Sequence, residues 1–225
     1  MLIIIFLISL IPAILIYFFL KNRSTNVEYK KVCKSALLRG MFLSALFVLL
    51  LSAILFIGEI LLKFLNVSTE FCTIYHNFIV LAFSEEIMKY LVFKKTIQKY
   101  PHDYSEFKII SLMMIVSIGF ELTESLLYAF QTNGMMMIVR GITLMHVGYG
   151  FIEGYFLSKA YNTKNKAYTF FGILLAFLLH GMYDLSLTDG FVTQDIFMFS
   201  ALFLAALSIV IVIISIVYLK KRTKK

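Results

Sequence analysis

The sequence predicts an all-α, polytopic membrane helix bundle of about seven transmembrane helices, with the N-terminus outside and the C-terminus inside. Three observations predict it. Of 225 residues, 60% are apolar and only 15% charged, against roughly a quarter charged in a soluble domain. The apolar residues gather in runs close to the ~20 residues a helix needs to cross a bilayer core. The basic residues alternate between connections, rich in one and nearly absent from the next, as orientation in a membrane requires.

The runs read as 2–20, 38–62, 71–93, 108–130, 135–158, 167–187 and 196–219. They are too long and continuous for barrel strands, which alternate lipid-facing and lumen-facing residues. The first has no basic leader and no small-residue cleavage site, so it reads as a retained helix rather than a secretory signal. The connection after it holds Lys21, Arg23, Lys30, Lys31, Lys34 and Arg39. The third connection holds Lys94, Lys95, Lys99 and Lys108, the fifth Lys159, Lys164 and Lys166, and the tail Lys220, Lys221, Arg222, Lys224 and Lys225. The intervening connections contribute Lys63 and little else. No stretch is left for a second domain, so residues 1–225 read as one transmembrane domain of the cell membrane.

The net charge of +8 belongs to these short clusters. None is interleaved with aromatic residues as a nucleic-acid surface would be, so nucleic acid is excluded as a partner. Cys33 falls in a basic connection and Cys72 near the opposite surface, too far apart to pair, and neither has metal-ligand spacing around it.

Function is legible in the ionisable residues that interrupt the apolar runs. Glu85, Glu86 and Lys89 lie in the third run, Glu121 and Glu124 in the fourth, Arg140, His146 and Glu153 in the fifth, and His180 and Asp184 in the sixth. Facing lipid, they would together cost on the order of 15–25 kcal/mol. They are therefore expected to face one another or a wet cavity enclosed by runs three to six, with runs one, two and seven as packing elements.

Helical spacing supports convergence. Lys89 stands four residues after Glu85 and three after Glu86, within reach of either along one face. The two adjacent carboxylates repel in a low dielectric and need a cation, a proton or a metal between them. Phe120, Glu124 and Tyr128 share a stripe, as do His146, Gly150 and Gly154, whose glycines allow close helix approach. His180 and Asp184 share a face, so the aspartate can orient the imidazole. Bland readings stand beside these. A lone intramembrane histidine is often a structural hydrogen-bond partner, Glu121 and Glu153 can serve as counter-ions for Lys89 or Arg140, and Arg140 can snorkel to the surface. Two carboxylate helices and two histidine helices in consecutive runs make a hydrolytic or metal site the stronger reading.

On these residues the chain resembles the PrsW family of intramembrane proteases, in the clan of CAAX and bacteriocin-processing proteases. The family pattern is EExxK, then FxxxE, then an isolated histidine, then a final histidine helix. Glu85-Glu86-x-x-Lys89, Phe120-x-x-x-Glu124, Arg140 followed by His146 with its glycines, and His180-x-x-x-Asp184 stand in that order; many relatives carry Asn where Asp184 stands. The resemblance covers roughly residues 71–187, the expected catalytic core. It implies cleavage of a membrane-tethered protein or lipid-anchored peptide in or beside the bilayer. The best-known family role is the first cut of an anti-sigma factor in a bacterial envelope stress response; sister families process prenylated proteins or secreted peptides.

The expected mechanism takes two forms. In one, Glu85 or Glu86 accepts a proton from the attacking water and Lys89 keeps a carboxylate ionised. His146 and His180 donate to the oxyanion or the leaving amine, Asp184 orients His180, and Glu124 shares the water or orients His146. In the other, His146 and His180 with carboxylates from Glu86, Glu124 and Asp184 bind zinc with an open position. No HExxH helix is present, and the clan resemblance favours the metal-free form, so the cofactor is none or zinc. Two other classes compete: a proton- or cation-coupled transporter, against which the lack of an internal repeat counts, and a non-catalytic scaffold or immunity protein. The shallow position of Glu124 and His180 predicts a cavity opening toward the outer leaflet.

Overall fold

The computed structural model describes residues 2–100, 104–129, 141–188 and 194–222. Among them every regular element is a helix. In chain order these are α1 (Leu2–Asn22), α2 (Val27–Phe64), α3 (69–99), α4 (Glu106–Ala129), α5 (Met145–Thr163), α6 (Ala167–Ser186) and α7 (Gln194–Arg222). Five of the described helices, α1, α2, α4, α6 and α7, are long and apolar enough to cross a membrane. The other two, α3 and α5, carry Glu85, Glu86 and Lys89, and His146 and Glu153, which dilute their apolar character.

The largest difference from the sequence expectation is at the first basic connection. Most of it is helix. Asn26 caps α2 by accepting from the Tyr29 amide at 3.0 Å, so α2 begins eleven residues before the expected run at 38 and contains Cys33 and Arg39. Its polar first turns hid it from an apolar-run reading. Cys33 and Cys72 are both free and buried.

Two helices widen into π turns. In α2 this happens at Gly40–Ser44, where Gly40 meets α4: a methyl group on it would lie 3.1 Å from the Val116 Cα. In α3 it spans His76–Phe83 and ends two residues before Glu85. Such widened turns cluster at functional sites because they re-aim the side chains that follow.

The core is α4. Leu112, Met113, Met114, Ile115, Val116 and Ile118 have no exposed surface, and the helix packs against α1, α2, α3 and α5. The α4–α5 contact is close because Gly150 and Gly154 face it, as their stripe predicts. A methyl on Gly154 would lie 2.9 Å from the Ile110 Cα. By contrast α1, α2 and α7 expose large apolar side chains, Leu15, Leu49 and Phe203 among them. That is a surface suited to lipid.

Polar latches gather the basic connections at one end. Glu106 on α4 accepts from Tyr218 Oη at 2.5 Å and pairs with Arg222 at 3.6 Å and Lys159 at 3.9 Å. Arg39 donates to the Lys95 carbonyl at 3.2 Å. At the other end Glu59 on α2 joins Lys63 at 2.6 Å and His76 on α3 at 2.7 Å.

Candidate active site

The site lies where α3, α4, α5 and α6 meet. From α3, Glu86 and Lys89 are completely buried. Lys89 Nζ lies 2.8 Å from both Glu86 carboxylate oxygens, so of the two glutamates within its reach it pairs with Glu86. Two charges held in an apolar interior require this geometry, because an unpaired partner would be left desolvated. The Lys89 ammonium also lies 5.5 Å and 5.9 Å above the Phe120 and Tyr149 rings, whose faces attract a cation.

Each histidine is tied to this pair through Nδ1. His180 Nδ1 donates to Glu86 Oε1 at 2.6 Å. Its Nε2 faces two further carboxylates, Asp184 Oδ2 at 3.2 Å and Glu85 Oε2 at 3.7 Å. His146 Nδ1 accepts from Lys89 Nζ at 3.1 Å. Its proton therefore sits on Nε2, which donates to Glu124 Oε2 at 2.5 Å and lies 3.8 Å from Glu85 Oε2. The two imidazoles stand edge to face with centroids 5.1 Å apart, framed by Phe120 against His146 at 5.0 Å and Tyr149 stacked on His180 at 5.2 Å.

The start of α5 explains how His146 reaches this point. Leu144 takes a left-handed conformation, φ 50°, immediately before the helix. The first amides of α5 lack intrahelical partners, and the His146 amide donates to Glu121 Oε2 at 3.3 Å. Glu121 thus caps α5; the expected pairing with Arg140 falls outside the described residues. Glu153 is also buried, with no hydrogen-bond partner on either oxygen, although Lys89 is within electrostatic reach. Arg140 and the Tyr128 side chain lie outside the described residues.

Among the described residues, one group has metal-ligand geometry: Glu85, His146 and His180 each offer a donor atom, all within 4.8 Å of one another. Glu85 Oε2 is buried and accepts no hydrogen bond, which leaves it open to a cation or a water. Tetrahedral zinc holds ligand atoms about 2.0–2.1 Å from itself; the 3.7 Å and 3.8 Å separations from Glu85 to the imidazoles are slightly wider than that requires. The residues fit such an ion. The carboxylate in this group is Glu85, whereas the sequence reading offered Glu86, Glu124 and Asp184; Glu86 is committed to Lys89 and His180. Glu124 and Asp184 stand just outside, each against one imidazole Nε2. A polar cavity of ≈ 10 Å³ beside His146, His180 and Asp184 has room for about one water.

All seven expected site residues therefore converge, from Glu85 to Asp184. Sequence reasoning missed Tyr149 and the capping role of Glu121. Tyr149 lies three residues after His146, on its face of α5, a spacing that carried the signal.

Comparison with known proteins identifies a family. A sequence model described as PrsW family intramembrane metalloprotease matches residues 33–217. Relatives named Protease PrsW include that of Clostridioides difficile, 26% identical over 197 residues, covering 80% of this chain and 77% of the relative. That of Oceanobacillus iheyensis is 31% identical over 180 residues, 76% of each chain, and that of Bacillus subtilis 30% identical over 181 residues, 78% of each. No solved structure matches. With the match running through α2 to α7 and across every residue of the site, the chain belongs to the PrsW family of intramembrane proteases.

Proposed function

We propose that the chain hydrolyses a peptide bond of a membrane-tethered protein, an anti-sigma factor or a processed peptide being the candidate substrates, at a metal-assisted site formed by Glu85, His146 and His180. The observation that carries this reading is the convergence within 4.8 Å of two imidazole nitrogens and one carboxylate oxygen, the oxygen accepting no hydrogen bond. The family's description as metalloproteases supports it over the metal-free form. In the same reading α3 and α5 cross the membrane with the five more apolar helices, giving seven spans with the basic end inside. The catalytic core is then 71–187 in a single domain.

Bound there, a zinc ion would supply polarisation of the scissile carbonyl and acidification of water. The chain's own residues do the rest. Glu86 holds His180 through Nδ1 and turns its Nε2 toward Glu85, the arrangement by which an outer carboxylate orients a ligand imidazole. Lys89 neutralises Glu86 and so lets it stay ionised in a dry interior. Glu124, 2.5 Å from His146 Nε2, orients that ring toward Glu85. Glu124 and Asp184, each against one imidazole Nε2, are placed so that one of them accepts a proton from the attacking water and returns that same proton to the leaving amine. The small cavity is lined by the start of α5 and the end of α6. It is thus displaced from the basic end, in line with access from the outer leaflet.

The test compares the termini of membrane and secreted proteins in cells expressing wild type or Glu85→Gln at matched levels. New termini next to a transmembrane segment, present with wild type alone, are expected. Identical termini in both, with both proteins folded and the host under envelope stress, would overturn the proposal.

A further inference from the structure

A second groove lies at the basic end of the bundle, in the seam between α3 and the α5–α6 connection. Its volume is ≈ 480 Å³, within the size range of small-molecule sites. Its floor is apolar, with Phe93 and Ile97 from α3 and Leu157 from α5. Its rim carries Lys94, Lys164 and Lys166. All three lysines are exposed, and among the described residues none has a carboxylate within ion-pair distance. Lys164 sits over the exposed Tyr161 ring at 4.5 Å, which holds its ammonium at the rim. Lys166 precedes the first turn of α6, where the helix dipole adds positive potential.

We propose that this groove binds an anionic membrane phospholipid, its phosphate among Lys94, Lys164 and Lys166 and its acyl chains along Phe93, Ile97 and Leu157. Charge complementarity selects the occupant. An amphiphile with a negative head at the interface and an apolar tail matches a basic rim over an apolar floor, and basic pockets between helices near the cytoplasmic surface bind such headgroups. A substrate segment fits less well, because the cavity beside the histidines lies toward the opposite end, at the start of α5. The site joins α3, which carries Glu85 and Glu86, to the α5–α6 hairpin, which carries both histidines, so an occupant braces the two halves of the catalytic constellation.

The test places the purified full-length chain in nanodiscs of four parts phosphatidylcholine to one part phosphatidylglycerol. Phospholipid retained through detergent washing is then counted by native mass spectrometry. Wild type is expected to keep phosphatidylglycerol in preference to phosphatidylcholine. Lys94→Gln, Lys164→Gln and Lys166→Gln together weaken that retention roughly a hundredfold, about fivefold for each lysine. Ala160→Phe fills the groove and abolishes retention with every charge in place. Lys31→Gln, Lys34→Gln and Lys221→Gln remove as many charges elsewhere and leave it unchanged. Equal retention by wild type and the groove variants would overturn the proposal, as would equal loss in the control. Recovery of a peptide crosslinked at Tyr161 in place of lipid would also overturn it.

Discussion

The Glu86–Lys89 pair gives the sharpest energetic prediction. Both side chains have no exposed surface, and their charged atoms lie 2.8 Å apart. Lys89→Met leaves Glu86 a buried charge whose nearest remaining partner is His180, and removes the donor to His146 Nδ1. Breaking one side of such a pair costs about 3–5 kcal/mol. Glu86→Leu leaves the Lys89 ammonium stranded and takes the acceptor from His180 Nδ1, at a similar cost of about 3–5 kcal/mol. The double variant strands neither charge. It loses two imidazole hydrogen bonds, about 1–3 kcal/mol each, together with the Lys89 charge over the Phe120 and Tyr149 rings and near Glu153. The two substitutions should therefore couple by roughly 3 kcal/mol, the upper end for residues in one network. Denaturant titration of the four proteins in detergent micelles measures this, with retained helicity as the signal. Additivity within about 0.5 kcal/mol would refute the reasoning, since the pair would then hold no mutual energy. The double variant is expected to be inactive despite its recovered stability.

Other predictions follow from single contacts. Glu121→Ala removes the cap on α5 and should cost about 0.5–2 kcal/mol, with a loss of cleavage larger than the stability change explains, because His146 follows the capped turn; cleavage in membranes at fixed folded protein checks it. Gly154→Val puts a side chain against the Ile110 backbone, 2.9 Å from its Cα at the first carbon, and should destabilise by about 1–3 kcal/mol or more, read by thermal unfolding in micelles. Glu106→Ala frees Tyr218, Arg222 and Lys159, and because Lys159 and Arg222 are solvent-accessible it should cost no more than about 1 kcal/mol and leave cleavage intact. Tyr149→Leu removes the ring stacked on His180 and should lower the rate of cleavage with little loss of folded protein, measured in proteoliposomes.

The parts of this account that could be read without coordinates share a physical cause. Charged groups inside apolar runs are too costly to face lipid, so Glu85, Glu86, Lys89, Glu124, His146, His180 and Asp184 had to converge. Helical spacing was enough to pair His180 with Asp184, found at 3.2 Å, and to foresee a close helix approach at Gly150 and Gly154, though not that α4 is the partner. The rest depended on tertiary geometry. Spacing allows Lys89 to meet either glutamate; the widened turn ending at Phe83 and the position of His180 decide for Glu86 and leave Glu85 facing both histidines. The capping role of Glu121 follows from the left-handed Leu144, and no residue pattern marks that conformation when the residue is not glycine. The early start of α2 went unseen because helices rich in lysine outside an apolar run leave no hydropathy signal.

The central claim is that Glu85, His146 and His180 form a metal site on which cleavage depends. The most direct measurement is the metal content of the purified chain by mass spectrometry, taken alongside cleavage of a membrane-tethered substrate. Wild type, His146→Ala and His180→Ala are each compared before and after exhaustive chelation. The account predicts about one zinc per wild-type chain, loss of zinc and of cleavage together in both variants and after chelation, and return of both when zinc is restored to wild type. Undiminished cleavage by wild-type protein after verified loss of all metal would contradict it.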